Sequence, residues 1–442
     1  MTVVPVILAG GTGSRLWPVS RSASPKPLHA FGSGEPLIVE TAARIEVGGS
    51  TWSMVVCGAD LLGPIRTLLG SEMRYLVEPA GRDTAPAVAA AALALHSQDP
   101  DTVMVVLPSD HRIADVDTFR KRLGAAVELA EEGYLVTFGI VPDRPETGYG
   151  YIAPAEHTGE GHLVERFVEK PDESTAARYV ADGYLWNSGM FVFRADRMIA
   201  EMGELQPAVL DAARRSVGTS DADVLYLGAA FLDAPRISLD HAVMEHTTRA
   251  AMIPLDCGWS DLGTWQAVWE HGDMDDAGNV LLGRTIALNT SNSLVWSSGR
   301  LVASVGLEGI AVVETPDAVL VVDRRNSQDV KAAVDLIGEV PEAKEQLAEG
   351  AGWGRQLPLE RGQRFSVDRY DVEAGGTLPW RRACECVPYV RVLAGEADLG
   401  PACGRFKAGE TVPVTFEDSI SIANPSEHRL SVLVVVVCTE DG

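Results

Sequence analysis

A chain of 442 residues exceeds what one hydrophobic core ordinarily organises, so two or three domains are expected. Its formal net charge of −25 at pH 7 excludes a general nucleic-acid binder, which needs a basic footprint, and 46% hydrophobic with 22% charged residues is the composition of a soluble globular protein. Apolar residues begin without a basic leader or cleavage site, and the longest late apolar run, VLVVVV at 432–437, is only strand-sized, so no membrane partner is expected. The six cysteines, at 57, 257, 384, 386, 403 and 438, are scattered, as in a reducing cytoplasm, which is the predicted location.

VVPVIL at 3–8 reads as a buried strand and runs into AGGTGSRLWPVSRSASPKPL. A Walker A loop would need a lysine directly after its last glycine, but Arg15 stands near the glycines and the first lysine is Lys26. A dinucleotide fingerprint fails at Leu16, where its third glycine belongs. Glycines after a strand still turn backbone N–H groups toward an anion, and Arg15 and Lys26 add two mobile charges. Lysine is rare here, at positions 26, 121, 170, 331, 344 and 407.

EPAGRDTAPA at 78–87 leads into the alanine-rich helix predicted over 84–96, with Pro86 tolerated in its first turn. TVMVVLPSD at 102–110 is a second buried strand that ends on Asp110, at the carboxyl edge where open α/β sheets bind ligands. PETGYGYI (145–152), FVEKP (167–171) and WNSGMFVF (186–193) follow, and CGWSDLG at 257–263 adds Asp261 in a glycine turn. Alternating strand and helix patterns to about residue 270 predict an α/β domain with a mostly parallel sheet.

Short strands parted by turns fill 278–325, and a helix is predicted over 327–340, as in a small helix of strands closed by one α-helix. The charged stretch 341–352 reads as a linker or short helix, and the rest is all-β by pattern, as in a small barrel. Expected units are an α/β domain at 1–275, a β-helix-like unit with its closing helix at 276–345, and an all-β barrel at 353–442.

The ordered series LAGGTGSRLWP…SPKPL, EPAGRDTAPA, LPSDH, GIVPDRPETGYGYI, FVEKPD, YLWNSGMFVFRAD, DHAVMEHT and GWSDLGTW resembles the bacterial mannose-1-phosphate guanylyltransferases, a branch of the sugar-nucleotidyltransferases. The resemblance spans roughly residues 3 to 340 and implies that 1–275 is a Rossmann-like nucleotidyltransferase domain, while 353–442 resembles the family in fold only, as a degenerate cupin-like barrel. It implies transfer of GMP from GTP to a sugar 1-phosphate, with mannose 1-phosphate foremost, giving a GDP-sugar and pyrophosphate. An oxygen of the sugar phosphate attacks the α-phosphorus in line, so catalysis rests on positioning and charge neutralisation and needs no protein nucleophile.

By the same resemblance, Leu8, Ala9, Gly10 and Gly11 line the nucleotide, and Gly13, Ser14 and Arg15 lie over its phosphates. Arg15 and Lys26 stabilise charge on the α-phosphate and leaving pyrophosphate, while Glu78, Gly81, Arg82 and Thr84 surround base and ribose. Asp110 and Asp261 share a magnesium ion (Mg2+), a metal that favours hard oxygen ligands. Gly148 and Tyr149 stand at the sugar, Glu169 and Asn187 on its hydroxyls, and Lys170 on its phosphate.

Two positions depart from the family pattern: Asp83 replaces a usual asparagine, and His241 replaces a usual aromatic and is expected to be a partly buried packing residue. Longer relatives carry a metal-dependent phosphomannose isomerase barrel, but 375–397 contains no histidine, and His428 is the only histidine after His271. That barrel is therefore expected to bind no metal by imidazole and to serve packing, ligand sensing or assembly, as in a homodimer. A site built from Cys384, Glu385 and Cys386 is the alternative. Two rival readings stay open: a sister enzyme using another sugar phosphate or nucleotide, and a silent sugar-nucleotide sensor. The intact set Arg15, Lys26, Asp110, Lys170 and Asp261 speaks against the sensor.

Overall fold

The structure, a computed structural model, describes residues 2–11, 13–32, 34–45, 52–70, 72–218, 223–338, 340, 349–350, 354–361, 365–381, 386–400, 403–413 and 419–438. The linker stretch 341–352 lies almost wholly outside them, as do Cys384 and Glu385 of the alternative metal site.

The first part is built on strands β1 (Val3–Ala9), β2 (Met54–Gly58), β3 (Arg74–Glu78), β4 (Val103–Pro108), β5 (Arg112–Ile113), β6 (Leu135–Ile140), β7 (Tyr151–Thr158), β8 (Gly161–Val168), β9 (Leu185–Arg194), β10 (Val224–Tyr226), β11 (Ala250–Leu255) and β12 (Trp259–Ser260). Ten of these form one sheet in the order β10-β3-β2-β1-β4-β9-β6-β11-β8-β7. The pairs β1–β2, β1–β4, β2–β3 and β6–β11 are parallel, while β9 runs antiparallel between β4 and β6. The sheet is mixed, as expected, but not mostly parallel: five of its ten described pairings are parallel and five, all involving β7, β8 or β9, are antiparallel.

Both faces of this sheet are covered, which explains why its central strands read as continuous apolar runs. In β1, Val4 and Val6 point into one cluster and Val3, Ile7 and Ala9 into the other. β4 repeats the alternation, with Met104 and Val106 against Val103, Val105 and Leu107. The first cluster is closed by helices α3 (Thr84–His96), α6 (Ala195–Leu205) and α7 (Pro207–Ser216), and the second by α1 (Leu37–Ala43), α2 (Ala59–Leu69), α4 (Val116–Glu131) and α5 (Glu173–Ala181). Alanine dominates α3 because the helix is buried nearly all round, between sheet and neighbouring helices, where small side chains allow close approach.

Past α8 (Trp265–Glu270), six short strands lie between Val280 and Asp323; the first five pair in parallel, Val280 opposite Leu294, Leu294 opposite Ala311 and Thr285 opposite Val302, the last, Val319–Asp323, turns back antiparallel, and α9 (Val330–Ile337) closes the unit. The predicted closing helix is shorter than 327–340, because Arg324–Asp329 forms a 3-10 turn before it. This unit shares a core with the opening loop: Leu16, Trp17, Val19 and Phe31 pack with Trp265, Leu294, Val313 and Val330. Arg21, fully buried, fixes the loop further through a two-pronged pair with Asp317 at 2.5 and 2.7 Å.

The described C-terminal strands form a six-stranded and a four-stranded sheet, antiparallel in all their pairings, around one cluster that includes Val372, Val390, Ile422 and Val432. No helix of at least 18 described residues is apolar enough to cross a membrane.

Candidate active site

Register brings the chemistry-bearing segments to one sheet edge. β1 and β4 are parallel neighbours, so the glycine turn after Ala9 lies beside Ser109 and Asp110, and the Ser109 amide donates to the Leu8 carbonyl at 3.2 Å. β9 opposes β4, which carries its Asn187 past the same edge. The β7–β8 hairpin brings Gly150 and Glu169 alongside, and the Asn187 amide donates to the Gly150 carbonyl at 2.8 Å. The two-stranded pairing of β5 with β12, Ile113 opposite Trp259, draws Asp261 to Asp110.

These segments enclose a cavity of about 590 Å3. Leu8, Ala9, Gly10 and Gly11 line it from the first turn, and Glu78, Gly81 and Thr84 from the loop before α3. Asp110 and Asp261 line its middle, with Gly148, Tyr149, Glu169 and Asn187 on the far wall. Gly13, Ser14, Arg15, Lys26, Arg82 and Lys170 are not in its lining.

Lys26 nevertheless reaches the centre. Only 4% exposed, it donates from Nζ to Asp110 Oδ2 at 2.8 Å and to the Asp261 carbonyl oxygen. Burial would push the Asp110 carboxyl up, but the Lys26 ammonium outweighs it and holds that carboxyl below the usual carboxylate range. Asp261 Oδ1 accepts from the Tyr149 hydroxyl at 2.8 Å and the Gly263 amide at 2.9 Å. Burial and the Asp261 carboxylate raise the Tyr149 phenol, so it stays a donor.

Gly13 explains how Lys26 gets there. At φ 57, a Cβ on it would lie 2.7 Å from Lys26 Cβ and 2.8 Å from Ser20 Oγ, so the glycine leaves room for the lysine stem. Arg15 stands exposed in the 3-10 turn Ser14–Leu16. Lys170 is exposed at the rim, paired with Glu169 at 2.7 Å. Arg82 donates to the Leu232 carbonyl, away from the cavity.

Asp83 shapes the turn it occupies: at φ 69 it caps α3, its carboxylate accepting from the Thr84 amide at 2.8 Å. His241 corrects an expectation. It is exposed and bonded to Glu245 at 3.1 Å, which raises its pKa, and it does not pack. Among the described residues, positive φ outside glycine occurs at Asp83, Lys170, Leu262, Asn289 and Asn292, and the first three adjoin cavity residues. Such strain concentrates at ligand sites.

Three titratable cavity residues escaped the sequence reading. His111 is held neutral by burial, its pKa pushed down to about 4, and its Nδ1 accepts from Trp259 Nε1 at 3.2 Å. Arg236 lines the wall near Asp83. Asp240 lines the cavity beside Asn187, bonded to it at 2.7 Å, and burial and Glu169 push its carboxyl up to about 6. The motif quoted around His241 contained Asp240, but an acidic residue in a helical segment carried no signal of its own. Glu78 is buried with Oε1 unpartnered, which pushes its carboxyl up to about 7.

Comparison with known proteins agrees with this geometry. Residues 4–277 match the Nucleotidyl transferase family, and 283–336 match the MannoseP isomerase/GMP-like beta-helix domain family. The chain is 38% identical over 452 aligned residues to the mannose-1-phosphate guanylyltransferase of Klebsiella pneumoniae, covering 98% of this chain and 95% of that one. Identity to the mannose-1-phosphate guanylyltransferase of Escherichia coli K12 is 40% over 412 aligned residues, with 89% and 86% covered. A solved structure from Thermus thermophilus, described as a mannose-1-phosphate geranyltransferase, aligns with TM-score 0.71 at 33% identity, covering 76% of this chain and 99% of that one. A mannose-6-phosphate isomerase of Helicobacter pylori aligns with TM-score 0.51 at 27% identity, covering 59% and 100%. The chain belongs to the mannose-1-phosphate guanylyltransferase family and is a nucleotidyltransferase.

Proposed function

We propose that this enzyme joins GTP to mannose 1-phosphate, releasing pyrophosphate and GDP-mannose. One observation carries the reading. A single cavity runs from the glycine turn after β1, past a Lys26–Asp110–Asp261 cluster, to a polar wall of Glu169 and Asn187. That order suits a nucleotide, a phosphate-transfer centre and a polyol in line.

The residues divide the work as follows. Gly10, Gly11, Gly13 and Ser14 turn amides toward the phosphates, Glu78, Gly81 and Thr84 border the base and ribose, and Arg82 has to leave the Leu232 carbonyl to join them. Lys26 delivers positive charge to the α-phosphate as the sugar-phosphate oxygen attacks, and Arg15 swings from solvent onto the departing pyrophosphate. Lys170 leaves Glu169 to hold the sugar phosphate, while Glu169, Asn187, Gly148 and Tyr149 orient the sugar so that its phosphate oxygen faces the α-phosphorus.

The donor set fits magnesium. Asp110 and Asp261 supply two hard carboxylates, and Asp110 Oδ1 and Asp261 Oδ2 receive no side-chain hydrogen bond among the described residues. No cluster of three ligating side chains exists among those residues, and magnesium completes its shell with water and substrate phosphates. Bound there, Mg2+ supplies electrophilic charge neutralisation on the phosphates.

We further propose the units 1–275, 276–345 and 353–442, with the last a cupin-like barrel that assists assembly as a homodimer and lacks isomerase chemistry. Its single histidine, His428, is exposed in a turn. A coupled isomerase assay with added zinc or cobalt is expected to show no conversion of fructose 6-phosphate, and robust conversion overturns that part.

The test of the main reading is a pyrophosphate-release screen of the common nucleoside triphosphates against a panel of sugar 1-phosphates. GTP with mannose 1-phosphate is expected to lead. A different best pair favours the sister-enzyme reading, and silence across the panel favours a sensor.

A further inference from the structure

The sugar end of the cavity is rich in acceptors and poor in donors. Glu169 and Asp240 both face it, and the nearby cation, Lys170, is committed to Glu169 at 2.7 Å. Glu169 comes this close because residue 150 is glycine: a Cβ there would lie 2.6 Å from Glu169 Oε2.

Asp240 receives its only side-chain hydrogen bond among the described residues from Asn187 Nδ2 at 2.7 Å. That amide cannot turn over. Its oxygen accepts from the Gly189 backbone N–H at 3.2 Å, a group that can only donate, which leaves Nδ2 to face Asp240. One Nδ2 hydrogen and the remaining acceptor capacity of Asp240 therefore stand side by side at the wall. Carboxylates withdrawn from water with too few donors are costly, and a polyol supplies the missing donors as hydroxyls.

We propose that Asp240 is a further sugar-binding and specificity-determining residue, accepting a hydrogen bond from one hydroxyl of the hexose 1-phosphate while Asn187 donates to the same or the adjacent oxygen. The inference rests on the proposed use of a sugar 1-phosphate. Its chemistry is that of an acceptor–donor pair, which selects a hydroxyl and rejects an analogue lacking it, because the buried carboxylate is then left unpaired. Burial and Glu169 push the Asp240 carboxyl only to about 6, so at neutral pH it is ionised and accepts.

The test compares wild type with Asp240→Asn, using GTP and mannose 1-phosphate together with its monodeoxy analogues, one for each hydroxyl. The carboxamide oxygen still accepts from Asn187, so the wall stays intact while charge and acceptor capacity fall. The variant is expected to raise KM for mannose 1-phosphate by about tenfold to a hundredfold, the range for a charged hydrogen bond, with KM for GTP unchanged. Wild type is expected to lose a similar factor against one particular deoxy analogue, and the variant to be nearly indifferent to that one alone. An unchanged KM for the sugar phosphate in Asp240→Asn, or an equal loss for every analogue and for GTP, overturns the proposal. Failure of wild type to turn over any of these sugar phosphates overturns the underlying reading of the activity instead.

Discussion

Gly13→Ala is the smallest change that reaches the centre of this site. The added methyl meets Lys26 Cβ at 2.7 Å and Ser20 Oγ at 2.8 Å, and the residue must also hold φ 57. Left-handed backbone costs a non-glycine residue roughly 1–2 kcal/mol, and overpacking a filled site adds roughly 1–3 kcal/mol. The lysine contact is at the base of its side chain, not at its flexible end, so a rotamer change cannot relieve it. The backbone of the opening loop has to move, and Arg21 with Asp317 resists that movement. The expected results are a fall in melting temperature of roughly 5–15 °C and at least an approximately tenfold loss of turnover as Nζ leaves Asp110. Thermal unfolding and pyrophosphate release measure both. A Gly13→Ala enzyme with wild-type melting and wild-type kcat would refute the claim that this glycine exists to admit Lys26.

Asp110→Asn and Asp261→Asn are each expected to cut turnover by orders of magnitude with the fold intact by circular dichroism; near-wild-type rates of Asp261→Asn at saturating magnesium would sink the shared-metal assignment. Lys26→Ala is expected to lower kcat, whereas Lys170→Ala, exposed at the rim, raises KM for the sugar phosphate. Exchanged phenotypes would mean that the two halves of the cavity are assigned backwards. Glu78 sets a pH effect on the ligand-free protein. Its folded pKa, pushed up by burial to about 7, lies above an ordinary value of 4.5, so the folded state binds more protons between the two and stability falls as pH rises through that window. Asp240, raised to about 6, adds the same sign from its ordinary 3.8 upward. Melting curves from pH 4.5 to 8 are expected to show the decline, and Glu78→Gln to flatten it; a variant as steep as wild type contradicts the account.

The parts of the site legible in the sequence were those whose chemistry sits in one contiguous stretch at a strand end. Gly10 and Gly11 follow an apolar run, and Asp110 follows another, so both could be set at the carboxyl edge before any pairing was known. The succession of strand and helix patterns to about residue 270 and the short strands of 278–325 were equally local signals. What escaped depends on register between distant strands. Asp240 matters because Asn187, 53 residues earlier, meets it across the cavity, and Gly150 matters because Glu169 folds over it. The Lys26 bridge to Asp110 and to the Asp261 carbonyl depends on β5 pairing with β12, two strands of two residues each that no periodicity reveals. His241 misled for the opposite reason: its position in the motif suggested packing, but it lies on the outer side of a turn whose Asp240 faces inward.

The central claim is that this cavity joins a nucleoside triphosphate to a sugar 1-phosphate with loss of pyrophosphate. The most direct measurement is a phosphorus NMR time course of the purified chain with GTP, mannose 1-phosphate and magnesium. The account predicts that the mannose 1-phosphate and γ-phosphate signals decay together while the paired diphosphate signals of GDP-mannose and those of pyrophosphate rise in equal amounts. Spectra that stay unchanged, or that show GDP and inorganic phosphate accumulating with mannose 1-phosphate untouched, would contradict it.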